Sequence, residues 1–332
     1  MFNKALYGTV VVTYRCNARC VMCNCFKESA DPSTELSLDT IQKLPRMDFC
    51  NITGGEPFLR EDLEDIVAIL QKKATRIVIS TNGYFFDRII HLCERFPRVG
   101  IRVSIDGLSV ANDKIRGIPQ GYDRVMRCIL KLKEMGHPDI GFGMTLQDDN
   151  YQDLMTIYKL ARYLNLEFST ACAHNTFYFK KTDNVIEQKR NVIAAIEELI
   201  NAMLHTNNPK KWFRAYFNHG LINYIVDNPR ELSCCLGTNG FYLEPCGDVV
   251  PCSAMKEKSV MGNLNEQTFE EIWSSEKARC VREQVSFCKE NCWMIGLITP
   301  CMLTDPWLPL KWVIEHKFIR RHYRAEEDVL AL

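Results

Sequence analysis

Cys16-Asn-Ala-Arg-Cys20-Val-Met-Cys23 brings three thiols together directly after an apolar stretch of strand character. A [4Fe–4S] cluster takes four ligands. Three cysteines leave one iron open, and an open iron can bind the amino and carboxylate groups of a cofactor instead of closing the site. Cys25 is a rival ligand, and tetrahedral zinc is the alternative these thiols leave open.

The elements that position them follow from hydrophobic period. Strand-length apolar runs at 9–14, 48–53, 76–80, 100–105, 139–145 and 167–172 alternate with helical patterns at 60–73, 85–96, 122–135 and 151–164. This alternation makes βα units around a parallel sheet, so the fold class is α/β, an incomplete (βα)6 barrel of TIM type. Residues 1–180 form that barrel, and the cysteine loop falls at the carboxyl end of its first strand, where such folds put their chemistry. Two consecutive helical patterns, 184–204 and 210–226, end the alternation, so residues 181–230 are read as a helical connection. A Cys- and Gly-containing unit at 231–305 holds a hairpin, 241–244 with 249–252, and a helix near 269–273. Residues 306–332 form a Trp-rich basic helix and a loosely held tail.

Composition sets the frame. The chain has 332 residues, 46% hydrophobic and 25% charged, with 41 basic residues against 41 acidic ones. That balance points away from nucleic acid as a partner. No run approaches the roughly 20 apolar residues of a membrane span, and the N-terminus lacks a signal h-region. The chain therefore reads as cytoplasmic, and in that compartment 16 cysteines argue for metal or redox chemistry rather than disulfides.

The CxxxCxxC spacing resembles the signature of the radical S-adenosylmethionine (SAM) superfamily. Supporting marks stand at Gly54-Gly55-Glu56-Pro57, Ser80-Thr81-Asn82-Gly83 and Ser104-Ile105-Asp106-Gly107, after strands two, three and four. The resemblance covers at least residues 7–172. It implies SAM bound at an open [4Fe–4S] cluster on Cys16, Cys20 and Cys23. It also implies cofactor contacts from Gly54, Gly55, Glu56 and Pro57 to the methionyl amine, and from Ser80, Asn82, Ser104, Asp106 and Arg116 to the ribose or carboxylate. Met22 stands where the family usually has an aromatic residue, and its thioether suits an adenine face. The chemistry implied is reductive cleavage of SAM to a 5′-deoxyadenosyl radical that abstracts hydrogen from a substrate, with a reductant such as a flavodoxin or ferredoxin as partner. Zinc would explain neither the glycine motif nor the barrel.

Cys235, Gly247-Asp-Val-Val-Pro-Cys252 and Cys288-Lys-Glu-Asn-Cys292 resemble the auxiliary-cluster region called SPASM, or its shortened form, twitch. The dense cysteine run of a full SPASM domain is missing. This implies one auxiliary [4Fe–4S] cluster on Cys235, Cys252, Cys288 and Cys292, which leaves no open iron and suits electron transfer. Cys234, Cys246 and Cys301 are placed to displace one of the four, and a zinc knot is the bland alternative.

Cys172 ends strand six, from where its thiol is expected to face the barrel mouth and return a hydrogen atom, as in radical SAM epimerases. A buried core cysteine is the competing reading. The expected substrate is a small polar molecule, a carbohydrate or aminocyclitol, undergoing epimerisation through Cys172 or dehydrogenation through the auxiliary cluster. Maturation of a ribosomally made peptide is the alternative; the chain's start close to strand one, without a leader-binding extension, speaks against it. A non-enzymatic iron–sulfur or zinc scaffold is a third reading. His174, Asn175, Tyr178 and Lys180, with Thr145, Gln147 and Asn150, are strand-end polar groups available to a substrate. Cys50, Cys93, Cys128 and Cys280 carry no assigned role. The basic C-terminal helix is expected to pack on the barrel, with no stable membrane anchoring.

Overall fold

The computed structural model describes residues 6–27, 31–255 and 258–325. Six parallel strands, β1 (Tyr7–Val11), β2 (Met47–Thr53), β3 (Ala74–Thr81), β4 (Gly100–Ser104), β5 (Ile140–Leu146) and β6 (Glu167–Cys172), lie side by side in chain order. Between them run α1 (Leu38–Gln42), α2 (Leu63–Leu70), α3 (Phe86–Arg95), α4 (Ser109–Arg116), α5 (Gly121–Glu134) and α6 (Leu154–Tyr163). The expected open (βα)6 barrel is therefore present. The short helix α4, which ends on Arg116, is an addition that the periodicity did not reveal.

Alternation along the strands separates two faces. Ile52, Ile79, Val103 and Phe142 are fully buried on the outer face and share one core with Ile66 of α2, Ile89 of α3 and Ile129 of α5. Asn51, Ser80, Arg102, Ser104, Thr145 and Ser169 occupy the alternate positions and are partly accessible. Ser80 Oγ donates to Asn51 Oδ1 at 3.2 Å across that inner wall. The barrel interior is thus polar and open while the helix side is sealed.

Two long helices follow, α7 (Lys189–Leu204) and α8 (Pro209–Ile225), the second with Pro209 in its first turn behind an Asn208 cap. The expected hairpin forms from β7 (Gly240–Leu243) and β8 (Asp248–Val250), extended by β9 (Gly262–Asn263). It is not a free-standing unit. β7 pairs in parallel with β1, Tyr7 opposite Gly240 and Val10 opposite Leu243, so the sheet runs through nine strands. An open barrel leaves the far edge of β1 unpaired, and β7 covers it.

The remaining helices are α9 (Phe269–Ser274), with a Thr268/Glu271 capping box, α10 (Glu276–Ser286), α11 (Ile295–Thr304) and α12 (Trp307–Val313). The C-terminal helix expected from 306 is broken: α12 passes into a π-helical turn at Ile314–Ile319. It packs on α8 through Trp312 against Tyr216, with ring centroids 5.7 Å apart. The tail expected to be loosely held lies, from residue 326, outside the described residues.

Candidate functional site

The cysteine loop leaves β1 and is pinned at both ends. Arg19 and Val21 donate their amides to the carbonyls of Arg116 and Ile115 at 3.0 and 2.9 Å, and Asn24 donates to Phe179 O at 2.8 Å. Cys16, Cys20 and Cys23 are partly accessible, whereas Cys25 is buried with its thiol on Tyr178 O at 3.4 Å. The structure thus separates three available thiols from a fourth that is committed elsewhere. Burial pushes the Cys16 thiol up to about 12, while hydrogen bonding from Cys25 brings Cys23 down to about 7.

Arg116 lies beneath the loop. Its Nη1 meets Asp106 Oδ2 at 2.5 Å, and Asp106 is fully buried. Burial works against the guanidinium charge, but Cys20 and Asp106 hold it above its ordinary value. Its Nε is buried without a hydrogen-bond partner among the described residues. A cation with an unspent donor beside three thiols suits the carboxylate of a bound ligand as well as the negative charge of a thiolate cluster. Met22, 9% exposed, packs with Ile115, Ala173 and Cys20 at the same place.

The glycine motif is held in place by its own hydrogen bonds. Gly55 N donates to Thr13 O at 2.8 Å and Glu56 N to Arg15 O at 2.9 Å, so the segment runs along the extension of β1. A Cβ on Gly55 would fall 2.3 Å from Arg15 O, which no side chain can accept. The Glu56 carboxylate is fully buried and accepts from Phe58 N at 3.1 Å, Thr81 Oγ1 at 2.8 Å and Asn82 N at 2.7 Å. Burial raises its pKa despite those donors. Gly54, Gly55, Glu56 and the buried Pro57 therefore frame the site by locking the ends of β1, β2 and β3. Asn82 then bonds Asn17 Oδ1 of the cysteine loop at 2.8 Å. Ser80 and Ser104 stand on the inner wall, below Asn82 and Asp106.

Two positions, Asn17 and Glu35, carry no signal in the sequence, and a third, Tyr178, has another role than expected. Asn17 carries the loop's link to β3. Glu35 clamps the loop's start through Arg15 at 2.9 Å and Arg60 at 3.3 Å. Tyr178, expected among substrate contacts, is instead a brace: its hydroxyl donates to Gly54 O at 2.9 Å and its carbonyl receives Cys25. A Glu in a polar segment and a Tyr in a loop offer no periodic signal, so only packing reveals them. His174 is likewise committed. It is 4% exposed, with Nδ1 at 2.7 Å from Cys172 O, Nε2 accepting from Trp293 N at 3.2 Å and its ring stacked on Tyr224.

Cys172 requires a correction. Phe168, Thr170 and Cys172 share one face of β6; Phe168 packs on Tyr158 of α6, and Thr170 Oγ1 donates to Asn218 of α8 at 2.7 Å. That is the helix-covered face, so the thiol, 2% exposed and pushed well up by burial, points away from the barrel mouth. Glu167, Ser169 and Ala171 face inward instead.

The C-terminal thiols gather with one exchange. Cys252 and Cys292 are buried in a cluster with Tyr178, Tyr242 and Leu297, and Cys234 packs against it. Cys234 and Cys288 both oppose ionisation of Cys292, after burial itself, and Cys292 and Cys234 do the same to Cys252. Arg230 Nη1 donates to Cys292 Sγ at 3.3 Å. Cys235, expected as a ligand, turns into the main core, with its Sγ 3.1 Å from Cys301 Sγ. Cys234 packs toward Cys252 and Cys292 instead, and its thiol also bonds Cys301. Cys246 and Cys280 are exposed, and Cys50, Cys93 and Cys128 are buried in the core. Among the described residues no three Cys, His, Asp or Glu side chains close about a single ion. Thiolates around one zinc would have to lie within about 4 Å of each other, given Zn–S bonds of about 2.3 Å. The donor chemistry, all sulfur and flanked by arginine, fits an anionic iron–sulfur cluster at each place.

Comparison with known proteins agrees with this arrangement. The family model of the radical SAM superfamily matches residues 10–161, and that of the SPASM iron–sulfur cluster-binding domain matches residues 234–293. An Fe-coproporphyrin III synthase of Methanosarcina barkeri is 32% identical over 172 residues, 48% of this chain and 42% of that one, so the match spans less than half of that relative. The sporulation killing factor maturation protein SkfB of Bacillus subtilis is 27% identical over 323 residues, 91% of this chain and 71% of that one. Among solved structures, native anSMEcpe with bound AdoMet and Cp18Cys peptide superposes with a TM-score of 0.65 at 16% identity, over 96% of this chain and 98% of that one. From its three-thiol loop, its open α/β barrel and its C-terminal cysteine unit, the chain belongs to the radical SAM superfamily and carries a SPASM cluster-binding domain.

Proposed function

We propose that this enzyme matures a ribosomally made peptide, abstracting a hydrogen atom from a residue held inside the barrel. The observation that carries the reading is the similarity to a peptide maturation protein along 91% of the chain, through barrel, connection and cysteine unit alike. The inner wall is compatible with it. Gly143, Ser169 and Ala171 line β5 and β6 with small groups, and a Cβ added at Gly143 would meet only Ser169 Oγ, at 3.6 Å. That leaves space for a side chain of the substrate opposite the cysteine loop.

In this reading Cys16, Cys20 and Cys23 hold the open cluster, and Cys234, Cys252, Cys288 and Cys292 hold an auxiliary one. SAM bound at the open iron supplies hydrogen-atom abstraction from an unactivated C–H bond. The chain's own residues provide position and charge. Arg116 would hold the cofactor carboxylate through its free Nε. Asp106 keeps that guanidinium in place, and Glu56 and Asn82 fix the loop against the ends of β2 and β3. Met22 and Ala173 form the apolar side of the pocket and exclude water from it.

Epimerisation of a small carbohydrate or aminocyclitol loses its donor with Cys172 turned outward. A second reading follows the Fe-coproporphyrin III synthase relative, named for an iron porphyrin as its product, and takes a related iron tetrapyrrole as substrate. One anaerobic experiment separates them. The reduced, reconstituted enzyme is given SAM and either short peptides encoded beside its gene or an iron porphyrin, and 5′-deoxyadenosine and substrate mass are followed. A peptide that loses hydrogen mass in step with 5′-deoxyadenosine supports maturation. Turnover with the porphyrin alone, or no response to any peptide, overturns it.

A further inference from the structure

The end of the barrel opposite the cysteine loop carries an unbalanced group of cations. Arg162, Lys210, Lys211 and Arg214 line a cleft of about 30 Å³ together with Tyr158 and Glu167. Glu167 is its one lining carboxylate, and Lys210 takes it at 2.8 Å. Asp139, on the neighbouring strand end, is spent on Arg76 at 2.7 Å and Arg102 at 2.6 Å. Among the described residues no carboxylate is paired with Arg162, Lys211 or Arg214.

Two further features make the cleft more than a charged surface. The Tyr158 hydroxyl is buried in its wall without a hydrogen-bond partner, on a residue 2% exposed. An orphan donor of that kind is destabilising unless something fills the space beside it. Arg214 is held down to about 10, by burial first and then by Arg102 and Arg76 acting against Glu167. Lys211 is also depressed by burial and by Arg162. The N-terminus of α8, 17 residues long, adds positive potential from its backbone. Space is sufficient: a water needs about 10–15 Å³ on this measure, so the cleft holds two or three waters or one tetrahedral oxyanion in their place.

The geometry points to an anion site at the base of the barrel, built to take a phosphate group between Arg214, Lys211, Arg162 and the Tyr158 hydroxyl. It is separate from the SAM site, because Glu167 starts the strand that Cys172 ends and six residues of strand span roughly 17 Å. The occupant is a free phosphate ion or the phosphoryl group of a small metabolite.

Thermal unfolding of the anaerobic, cluster-loaded enzyme tests this, with sodium phosphate compared against sodium chloride at equal ionic strength. Saturating phosphate is expected to raise Tm by about 3–6 °C over chloride. Arg214→Gln is expected to abolish that shift without lowering the basal Tm, because it removes an unpaired desolvated cation. Tyr158→Phe, which removes the orphan hydroxyl, should raise the basal Tm and reduce the shift. Glycerol 3-phosphate serves as the second probe: a matching shift means that a phosphoryl group suffices, and no shift identifies the free ion. A phosphate effect no larger than that of chloride, or a full shift retained in Arg214→Gln, overturns the assignment.

Discussion

Asp106 and Arg116 form a 2.5 Å ion pair whose carboxylate is completely buried and whose guanidinium lies beneath the cysteine loop. The remaining carboxylate oxygen accepts from Thr145 N at 2.6 Å, so the pair ties the ends of β4 and β5 to α4. Removing one partner of such a pair leaves an uncompensated buried charge, at a cost of about 3–5 kcal/mol. Asp106→Asn should therefore lower the unfolding free energy measured in urea by an amount in that range, and the midpoint with it. The exposed Lys114–Asp149 pair, 3.4 Å apart, provides the control, and Asp149→Asn should leave the midpoint where it is.

The adjacent cysteines Cys234 and Cys235 separate by iron analysis. Cys234 packs with Cys252 and Cys292, while Cys235 turns to the main core, with Cys301 touching both. Cys234→Ser is expected to cut iron from about eight to about four per chain, as loss of one of two [4Fe–4S] clusters implies. Cys235→Ser should keep the full complement. Equal iron in both variants would remove Cys234 from the ligand set.

Cys172→Ala is expected to leave 5′-deoxyadenosine formation and product unchanged. Its thiol faces α8 rather than the barrel interior, so the variant loses only core packing, about 1 kcal/mol measured by denaturant. A collapse of product yield at unchanged stability would restore the donor role.

His174 makes a prediction in pH. Burial brings it down to about 4 from 6.5. Between those values the unfolded chain binds the proton and the native one does not, so stability is lost as pH falls through that window and is complete again above about 6.5. The full loss is about 3 kcal/mol, at 1.36 kcal/mol per pH unit. His174→Gln, which can still donate to Cys172 O and accept from Trp293 N, should flatten the stability profile between pH 6.5 and 4.

Gly220 permits one contact on which the auxiliary site depends. A Cβ there would lie 1.9 Å from the Trp293 ring, whose Nε1 donates to Phe217 O at 2.6 Å. Gly220→Ala is expected to cost about 1–3 kcal/mol by overpacking. Because Trp293 follows Cys292, iron content should fall along with Tm.

Much of the barrel was legible because its signals are local. Thiol spacing in Cys16–Cys23 needs no tertiary information, and strand alternation identified all six barrel strands. The orientation of Cys172 was misread, although the alternation of Phe168, Thr170 and Cys172 with Glu167, Ser169 and Ala171 puts it on the same face as Phe168, which packs on α6. The C-terminal hairpin was found from its Cys-Gly-Asp turn, but nothing in residues 240–243 names β1 as a neighbour, since strand pairing over more than 230 positions leaves no local mark.

The sequence by itself determined the donor atoms, the parallel barrel and the family, because these rest on residue type and on periods of two and 3.6. Tertiary structure alone decided which donors share a site. Cys234 packs toward Cys252 and Cys292 while Cys235 turns to the main core, and Cys301 lies against both. Glu56 and Tyr178 brace the loop, and Arg116 keeps one free donor. Each of these outcomes depends on which groups are left unsatisfied after distant segments have packed, and desolvation settles that only when the chain is folded.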